Sequence, residues 1–367
     1  MALPQSPCRR TKITSGGNMM KVTSIALGAT FASLLSGTAM AEQITVFDWS
    51  GYDDPGFFGA YVEKYGEAPN FSFFADDHEG FNKLRSGFKA DLAHPCTSVI
   101  GKMRATDMLS PIDVSRLEAW GDLLPTLANL PFVSADGQVW MLPFDWGNTG
   151  LVYRTDLVTG DINLQTLADP AMAGKISLPD AVEDAYALAA LAVGVTDWSQ
   201  MTDEKFQEAS DFLRAVHTNV RFYWSDQGQL DAAIKSGEIH AAWAWNATEL
   251  AMIFDEIPAK MIRDPEVGVA SWACGYVHLN NGEGGDEEVY DFLNALSSAE
   301  SGKYLIESWG YAHANAKSYE IADQDAVAAY GYSDPEGFMA SSLFGFNPSQ
   351  EIAAKMLKEF ERIKAGF

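Results

Sequence analysis

The stretch that decides the fold is residues 139–156, VWMLPFDWGNTGLVYRTD. It contains two extended runs, 139–144 and 149–154, on either side of a short joint. Pro143 has no backbone N–H, so the first run must lie at a sheet edge or carry a β-bulge. One interpretation is a strand that crosses between two lobes, with Trp146 facing the space between them. The other is an ordinary β-hairpin with a buried Trp.

The first 41 residues have the composition of an export signal. They contain no Asp or Glu, and Lys21 precedes an apolar run, 22–35, that is followed by Ala39-Met40-Ala41. A basic segment, a short apolar segment and an A-x-A site together predict a signal peptide at 1–41, cleaved near Ala41. No later stretch approaches the roughly 20 apolar residues of a membrane helix. We therefore expect an exported protein that resides in the periplasm.

Charge and motif spacing exclude several classes of function. The formal net charge of −25 repels nucleic acid and anionic membranes and attracts cationic ligands. The six His show no metal-ligand spacing, and no G-x-S-x-G, P-loop or dinucleotide-binding glycine pattern occurs, so we expect neither metal nor cofactor. The alternatives to a binding protein are an exported enzyme that uses Asp184 and Asp226 as a carboxylate pair and a chemosensory receptor for a small amine. No nucleophile–base partner accompanies the two carboxylates, so we expect no enzyme.

Strands and helices alternate on both sides of the central stretch. Predicted strands at 44–47, 71–74 and 91–94, separated by helices, are typical of a doubly wound α/β sheet, which binds ligands beyond the carboxyl ends of its strands. A second alternating unit follows, and residues 267–279, with Trp272 at the centre, repeat the extended, Gly-punctuated pattern. We therefore expect two crossing strands between two lobes. The expected lobes are 42–144 with 273–315, and 145–272 with 316–367.

Seven segments spread over nearly the whole chain after residue 41 carry a family resemblance. They are TVFDWSGYDDPG at Thr45, DLAHPCTSVIGKM at Asp91, LPFDWGNTGLVYR at Leu142, AAWAWNATEL at Ala241, GVASWACGYVHL at Gly268, SWGYAHANAK at Ser308 and KEFERIKAGF at Lys358. In this order they resemble the spermidine/putrescine-binding family, the substrate-binding proteins of bacterial ABC importers. The resemblance implies a two-lobed periplasmic-binding-protein fold of type II, with a doubly wound mixed sheet in each lobe and two hinge strands. It also implies a monomer that delivers a small amine or amino acid to an inner-membrane permease.

The resemblance also implies a set of ligand-binding residues. The family holds amines between aromatic walls, with carboxylates that receive the ammonium groups. An ammonium over a Trp or Tyr face gains roughly 1–2 kcal/mol when it is desolvated. Asp184 lies where one carboxylate is expected, shortened from Glu. The residues that we expect around the ligand are Trp49, Ser50, Tyr52, Thr97, Trp146, Asp184, Arg221, Asp226, Trp245 and Trp272.

The chain departs from the family pattern close to the expected ligand. Cys274 stands where polyamine binders place a second essential Asp, and Cys96 and Ser98 replace a Ser and a Tyr. On one strand-to-loop segment, Arg221 could hold a carboxylate bidentately, and Asp226 could hold an ammonium. That pair favours a small amino acid of the γ-aminobutyrate kind over spermidine. The alternative for Arg221 is a surface ion pair with a neighbouring acid.

Cys96 and Cys274 are the two Cys that follow the predicted signal peptide. By the resemblance, both replace residues that reach towards the same ligand, and the expected compartment is oxidising. We therefore expect a disulfide that closes the floor of the pocket. The alternative is two separate buried thiols, since free Cys is among the most buried residue types.

Overall fold

The structure, a computed structural model, describes residues 43–263, 266–345 and 348–367. The predicted signal peptide, 1–41, lies outside the described residues. No helix within the described ranges is both long and apolar enough to span a bilayer.

The described residues form one sheet of twelve strands and a separate sheet of two short strands. The strands are β1 (Thr45–Trp49), β2 (Asn70–Phe74), β3 (Leu92–Ala93), β4 (Leu109–Ser110), β5 (Ser134–Ala135), β6 (Gln138–Val139), β7 (Leu142–Arg154), β8 (Ile176–Pro179), β9 (Val220–Trp224), β10 (Ala241–Trp245), β11 (Ala259–Ile262), β12 (Val269–Leu279), β13 (Ala312–His313) and β14 (Ser342–Phe344).

The α-helices lie between these strands and after them. They are α1 (Gly59–Tyr65), α2 (Asp77–Arg85), α3 (Thr97–Ala105), α4 (Pro125–Ala128), α5 (Val182–Ala192), α6 (Asp203–His217), α7 (Gln227–Ser236), α8 (Asn246–Phe254), α9 (Asp286–Ser297), α10 (Ala299–Trp309), α11 (Ala316–Ile321), α12 (Gln324–Ala329), α13 (Pro335–Met339) and α14 (Gln350–Lys364).

Strand β7 crosses from one half of the large sheet to the other. Its 13 residues run without interruption through the joint that the sequence places between two extended runs. Its first part pairs with β12, and its second part, from Thr149, pairs with β10 and β11. The register of β12 shifts between Cys274 and Gly275, opposite Pro143, which is the bulge that a proline in this strand requires. The crossing strand is therefore confirmed and the hairpin is wrong, but Trp146 is 0% exposed and does not face a space between lobes.

The order of the main strands, β2-β1-β3-β12-β7-β10-β8-β9, places the two crossing strands at the centre of the sheet. Strands β1, β2 and β3 are parallel to one another on one side, as are β8, β9 and β10 on the other. Strand β12 runs antiparallel to β3 and β7, so the sheet is mixed, as expected. The last residues of β1 and β10, with the loops and helices that follow β1, β3 and β8, carry six of the ten residues expected at the ligand site.

Four clusters of buried apolar side chains form the core. One cluster packs Phe57 and Phe292 on the β1 side of the crossing strands, and another packs Leu188 and Phe360 on the β8 side. Tyr332, from the C-terminal part of the chain, packs in the same cluster as Phe57. The lobe boundaries given above, 42–144 with 273–315 and 145–272 with 316–367, stay a prediction.

Candidate functional site

Asp184 and Trp245, two of the expected ligand residues, are in contact. Asp184 lies in the first turn of α5, and Trp245 is the last residue of β10, paired with Thr149 of β7. The side chains of Trp245 and Thr149 donate hydrogen bonds to the Asp184 carboxylate. Burial, with the neighbouring Glu183 charge, still raises the pKa of Asp184 to about 6, because the two donors offset only part of the lost hydration.

A second aromatic ring packs against Trp245. The ring centroids of Trp224 and Trp245 lie 4.9 Å apart at an interplanar angle of 87°, an edge-to-face contact. Trp224 itself is 2% exposed and donates its indole N–H to the Trp243 carbonyl. One face of Trp245 is thus fixed by the core, while its indole N–H is directed at a carboxylate. An aromatic wall next to an acidic group is the arrangement that an ammonium ligand requires.

An acidic cluster that the sequence analysis missed lies beside Asp184. His78 Nε2 of α2 is 2.8 Å from Glu183 Oε1 of α5. Its neighbour Asp77 accepts hydrogen bonds from Ser98 Oγ at 2.6 Å and from the Cys96 N–H at 3.1 Å. Burial is the main reason that the pKa of Asp77 rises to about 6, and the charge of Glu183 adds to it. Asp77 and His78 follow β2, and Glu183 follows β8. Their position after the ends of strands could have indicated that they belong to the ligand site.

The first loop contributes packing as well as exposed polar atoms. The Trp49 indole N–H donates to the His94 carbonyl at 2.8 Å, and its ring lies 4.6 Å from that of Phe74. Tyr52 is 7% exposed and donates its hydroxyl to Asp145. Ser50 is exposed at the tip of this loop. Of the first-loop residues expected at the ligand, Tyr52 therefore already has a buried partner.

A buried Asp–His–Asp chain lies under this loop, and the sequence analysis missed it too. The imidazole of His94 lies 2.8 Å from Asp48 Oδ1 through Nδ1 and 3.1 Å from Asp145 Oδ1 through Nε2. Tyr276 donates its hydroxyl to Asp48 Oδ2 at 2.9 Å. Burial alone lowers the pKa of His94, but the two carboxylates outweigh it and raise the pKa to about 10, so the imidazole is charged at neutral pH.

The two Trp residues of the crossing strands have different environments. Trp146 is 0% exposed and donates its indole N–H to Tyr319 Oη at 3.0 Å and to the His313 carbonyl at 3.2 Å, which places it in the core. Trp272 is half-buried and meets Tyr311 edge-to-face, with the ring centroids 5.2 Å apart. Gly147 permits this position, because an added Cβ would lie 2.4 Å from the Trp272 ring.

Arg221 and Asp226 have partners of their own, and Thr97 is buried. The Arg221 side chain is 58% exposed and pairs with Glu238 at 3.0 Å, near the amino end of β9. Asp226 caps α7 by accepting from the Gln229 N–H at 2.7 Å. Thr97, the first residue of α3, is 2% exposed. For Arg221, this geometry favours the alternative of a surface ion pair.

Cys96 and Cys274 form the predicted disulfide. Their Cα atoms lie 3.8 Å apart and pair as an isolated antiparallel bridge. The bond joins the end of β3 to the crossing strand β12, next to the Asp77 carboxylate that accepts from the Cys96 N–H. It therefore cross-links the acidic cluster to the hinge. No group of three His, Cys, Asp or Glu that could hold a metal occurs in the described part of the chain.

Comparisons with known proteins agree with this architecture. The family described as bacterial extracellular solute-binding protein matches residues 79–332. The putrescine-binding periplasmic protein PotF of Escherichia coli K12 is 25% identical over 350 residues, covering 90% of this chain and 94% of that protein.

Two solved structures share the two-lobed fold. A putative spermidine/putrescine ABC transporter protein from Listeria monocytogenes superposes with a TM-score of 0.76 at 20% identity, over 88% of this chain and 98% of that one. A structure described as the Atu4243–GABA receptor gives a TM-score of 0.67 at 17% identity, over 89% and 97%. With the family match over more than half of its length, the chain belongs to the bacterial extracellular solute-binding proteins.

Proposed function

We propose that the protein captures a small amine-bearing solute beside Asp184 and Trp245 and delivers it to an inner-membrane ABC permease. The contact between these two residues carries the proposal. An ammonium placed there meets a carboxylate and an aromatic face, and the carboxylate offsets the cost of removing water from the charge. The net charge of −25 adds a long-range attraction for cations.

The named relatives support an amine as the ligand. The Escherichia coli relative is named for putrescine, and a second relative, from Pseudomonas aeruginosa, is named for putrescine and agmatine. The γ-aminobutyrate receptor among the solved structures supports an ω-amino acid as the variant. An amino acid needs a cation for its carboxylate, and Arg221, which was expected to supply it, is paired with Glu238. The geometry therefore supports a simple amine better.

We also propose where the protein acts, in which oligomeric state, and what happens to its ligand. The protein acts in the periplasm as a monomer, after cleavage of its signal peptide near Ala41, and it releases its ligand unchanged rather than transforming it. Membership of an extracellular solute-binding family supports this role. The ligand binds as the two lobes close about the crossing strands β7 and β12, in the hinge motion of such proteins.

Thermal-shift measurements on the mature protein test the proposal. Putrescine, spermidine and γ-aminobutyrate are compared with sugars and with divalent metal salts. A ligand at 100 times its Kd adds about 2.7 kcal/mol to the free energy of unfolding, which gives a clear shift in Tm. Stabilisation by sugars or metals alone would contradict the proposal. Mass spectrometry of the released amine separates a binding protein, which returns it intact, from an enzyme.

A further inference from the structure

Asp231, Thr248 and Trp272 each carry a buried polar atom that lacks a well-formed hydrogen bond in the described part of the chain. The atoms are Asp231 Oδ1, Thr248 Oγ1 and Trp272 Nε1. Thr248 is 0% exposed, so its hydroxyl has no access to bulk water either. An unpaired buried polar group destabilises the folded protein, and native proteins rarely retain one without a reason. The Asp231 carboxylate oxygen and the Thr248 hydroxyl oxygen can both accept hydrogen bonds, so these two atoms point to a donor that binds there, whereas the Trp272 N–H can only donate.

Contacts between side chains show that the three atoms belong to one corner. The Thr248 hydroxyl lies close enough to the Asp231 carboxylate to lower its pKa, although burial raises that pKa more. Tyr311 donates its hydroxyl to Gln227 Oε1 at 3.5 Å, and Gln227 precedes Asp231 by four positions on the same face of α7. Tyr311 meets the Trp272 ring edge-to-face. The corner therefore consists of one carboxylate, one hydroxyl and two aromatic rings.

This corner lies one helical turn from the Asp184 site. Trp245, which donates to Asp184, immediately precedes α8, and Thr248 follows it by three positions in the first turn of that helix. Trp245 is the N-cap residue of α8 and Thr248 its third residue, two positions that lie close together at the start of a helix. Asp184 contacts Trp245 and Asp231 lies beside Thr248, so both carboxylates lie near the first turn of α8. Each carboxylate is thus available to one ammonium group of a ligand that carries two.

We propose that Asp231 receives the second ammonium group of a diamine, with Thr248 and the rings of Trp272 and Tyr311 completing its site. This inference rests on the proposed function, and it narrows the solute to a dication with an amine at each end. The corner suits a cation and not a carboxylate. Lys235, the basic residue that acts on Asp231, is itself bonded to Asp255 at 2.6 Å.

Calorimetric titration of the mature protein with putrescine and with n-butylamine tests the inference. The two ligands share a four-carbon chain and differ in the second ammonium. We expect the wild type to bind putrescine about 100-fold more tightly, as is typical when one partner of a buried charge pair is removed. Asp231→Asn should reduce that preference to less than about tenfold by weakening putrescine alone. Asp211→Asn removes the same charge from an exposed side chain that is paired with Arg214, and it should leave the preference unchanged.

Other outcomes would overturn the inference in distinguishable ways. If Asp231→Asn weakens both amines equally, or neither, Asp231 does not receive an ammonium, although the protein still binds amines. If γ-aminobutyrate binds as tightly as putrescine, a dication is not the required ligand. If the wild type binds none of the amines, the proposed function itself fails. The comparison of putrescine with n-butylamine can be made on the wild-type protein alone. If Asp231→Asn does not fold, Thr248→Val tests the same corner.

Discussion

His78 Nε2 lies 2.8 Å from Glu183 Oε1, and this contact joins α2 on the β1 side of the sheet to α5 on the β8 side. Both helices begin at strand ends that face the candidate ligand site. Because the crossing strands are the hinge, a contact between elements on their two sides is made only when the lobes are close together. We therefore expect the pair to form when the lobes close on the ligand.

The first prediction is that the His78–Glu183 pair makes ligand affinity fall at alkaline pH. The hydrogen bond with Glu183 raises the pKa of His78, so the pair's contribution is complete below the ordinary value of 6.5 and is lost as pH rises through the raised value. Both side chains are about one third exposed, so the change in affinity should be modest, about two- to threefold. Putrescine titrations between about pH 7 and pH 9 measure it. Glu183→Gln should abolish this decline, and an equal decline in both proteins would refute the role of the pair.

The second prediction concerns Asp184. Burial and Glu183 raise its pKa to about 6, and only the ionised form attracts an ammonium. Affinity for putrescine should therefore rise with pH through about 6, with a slope approaching tenfold per unit on the acid side. Asp184→Asn should weaken binding by about 100-fold and remove this slope. Asp180→Asn, which removes a half-exposed acid bonded to Lys364, is the matched control. If putrescine affinity still rises with pH in Asp184→Asn, the titrating group is Asp77 and not Asp184.

Much of the fold could be predicted because its patterns are local. Pro143 and the glycines of the central stretch indicated an interrupted pairing, and the structure has a bulge opposite Pro143. The helix at Asp203–His217 follows directly from its apolar spacing. The disulfide could be predicted because Cys96 and Cys274 are the two Cys that follow the predicted signal peptide and because the resemblance placed both beside one ligand.

The ligand site could be predicted only in part, because burial depends on the packing of distant segments. Trp146 and Trp245 look alike in sequence, yet one is enclosed by Tyr319 and Tyr332 and the other contacts a carboxylate. Arg221 lies on the expected strand, but near its amino end. Polar residues inside apolar strand runs, such as Asp48, were a usable signal, since a buried charge needs a partner.

The third prediction is that the disulfide contributes substantially to stability. The bond closes a loop with a sequence separation of 178 residues, for which the chain-entropy argument gives about 5 kcal/mol, although strain often reduces the measured gain. Urea unfolding of the mature protein should show a lower midpoint after addition of dithiothreitol. A double variant, Cys96→Ser with Cys274→Ser, should match the reduced protein and should not respond to reductant. Two titratable thiols in the unreduced, denatured protein would contradict the bond.

The last prediction concerns His94, which holds together β1, β3 and β7 through Asp48 and Asp145. Replacing it with Gln removes the positive charge and leaves two buried carboxylates without it. Breaking a buried ion pair on one side typically costs about 3–5 kcal/mol. His94→Gln should therefore lower the free energy of unfolding in urea by about that amount. His217→Gln, which removes a half-buried His bonded to the Tyr223 hydroxyl, should cost far less.

The pH dependence of this loss of stability shows whether His94 stabilises the fold through its positive charge or only through its packing. The pKa of His94 is raised to about 10 when folded, from an ordinary value near 6.5, so its stabilisation is complete below about pH 6.5 and is lost as pH rises through about 10. Wild type should accordingly lose stability between about pH 7 and pH 10, whereas His94→Gln should lose much less over the same range. Parallel curves for the two proteins would mean that the imidazole is neutral and that its role is packing against Tyr276, on which it stacks at 4.3 Å.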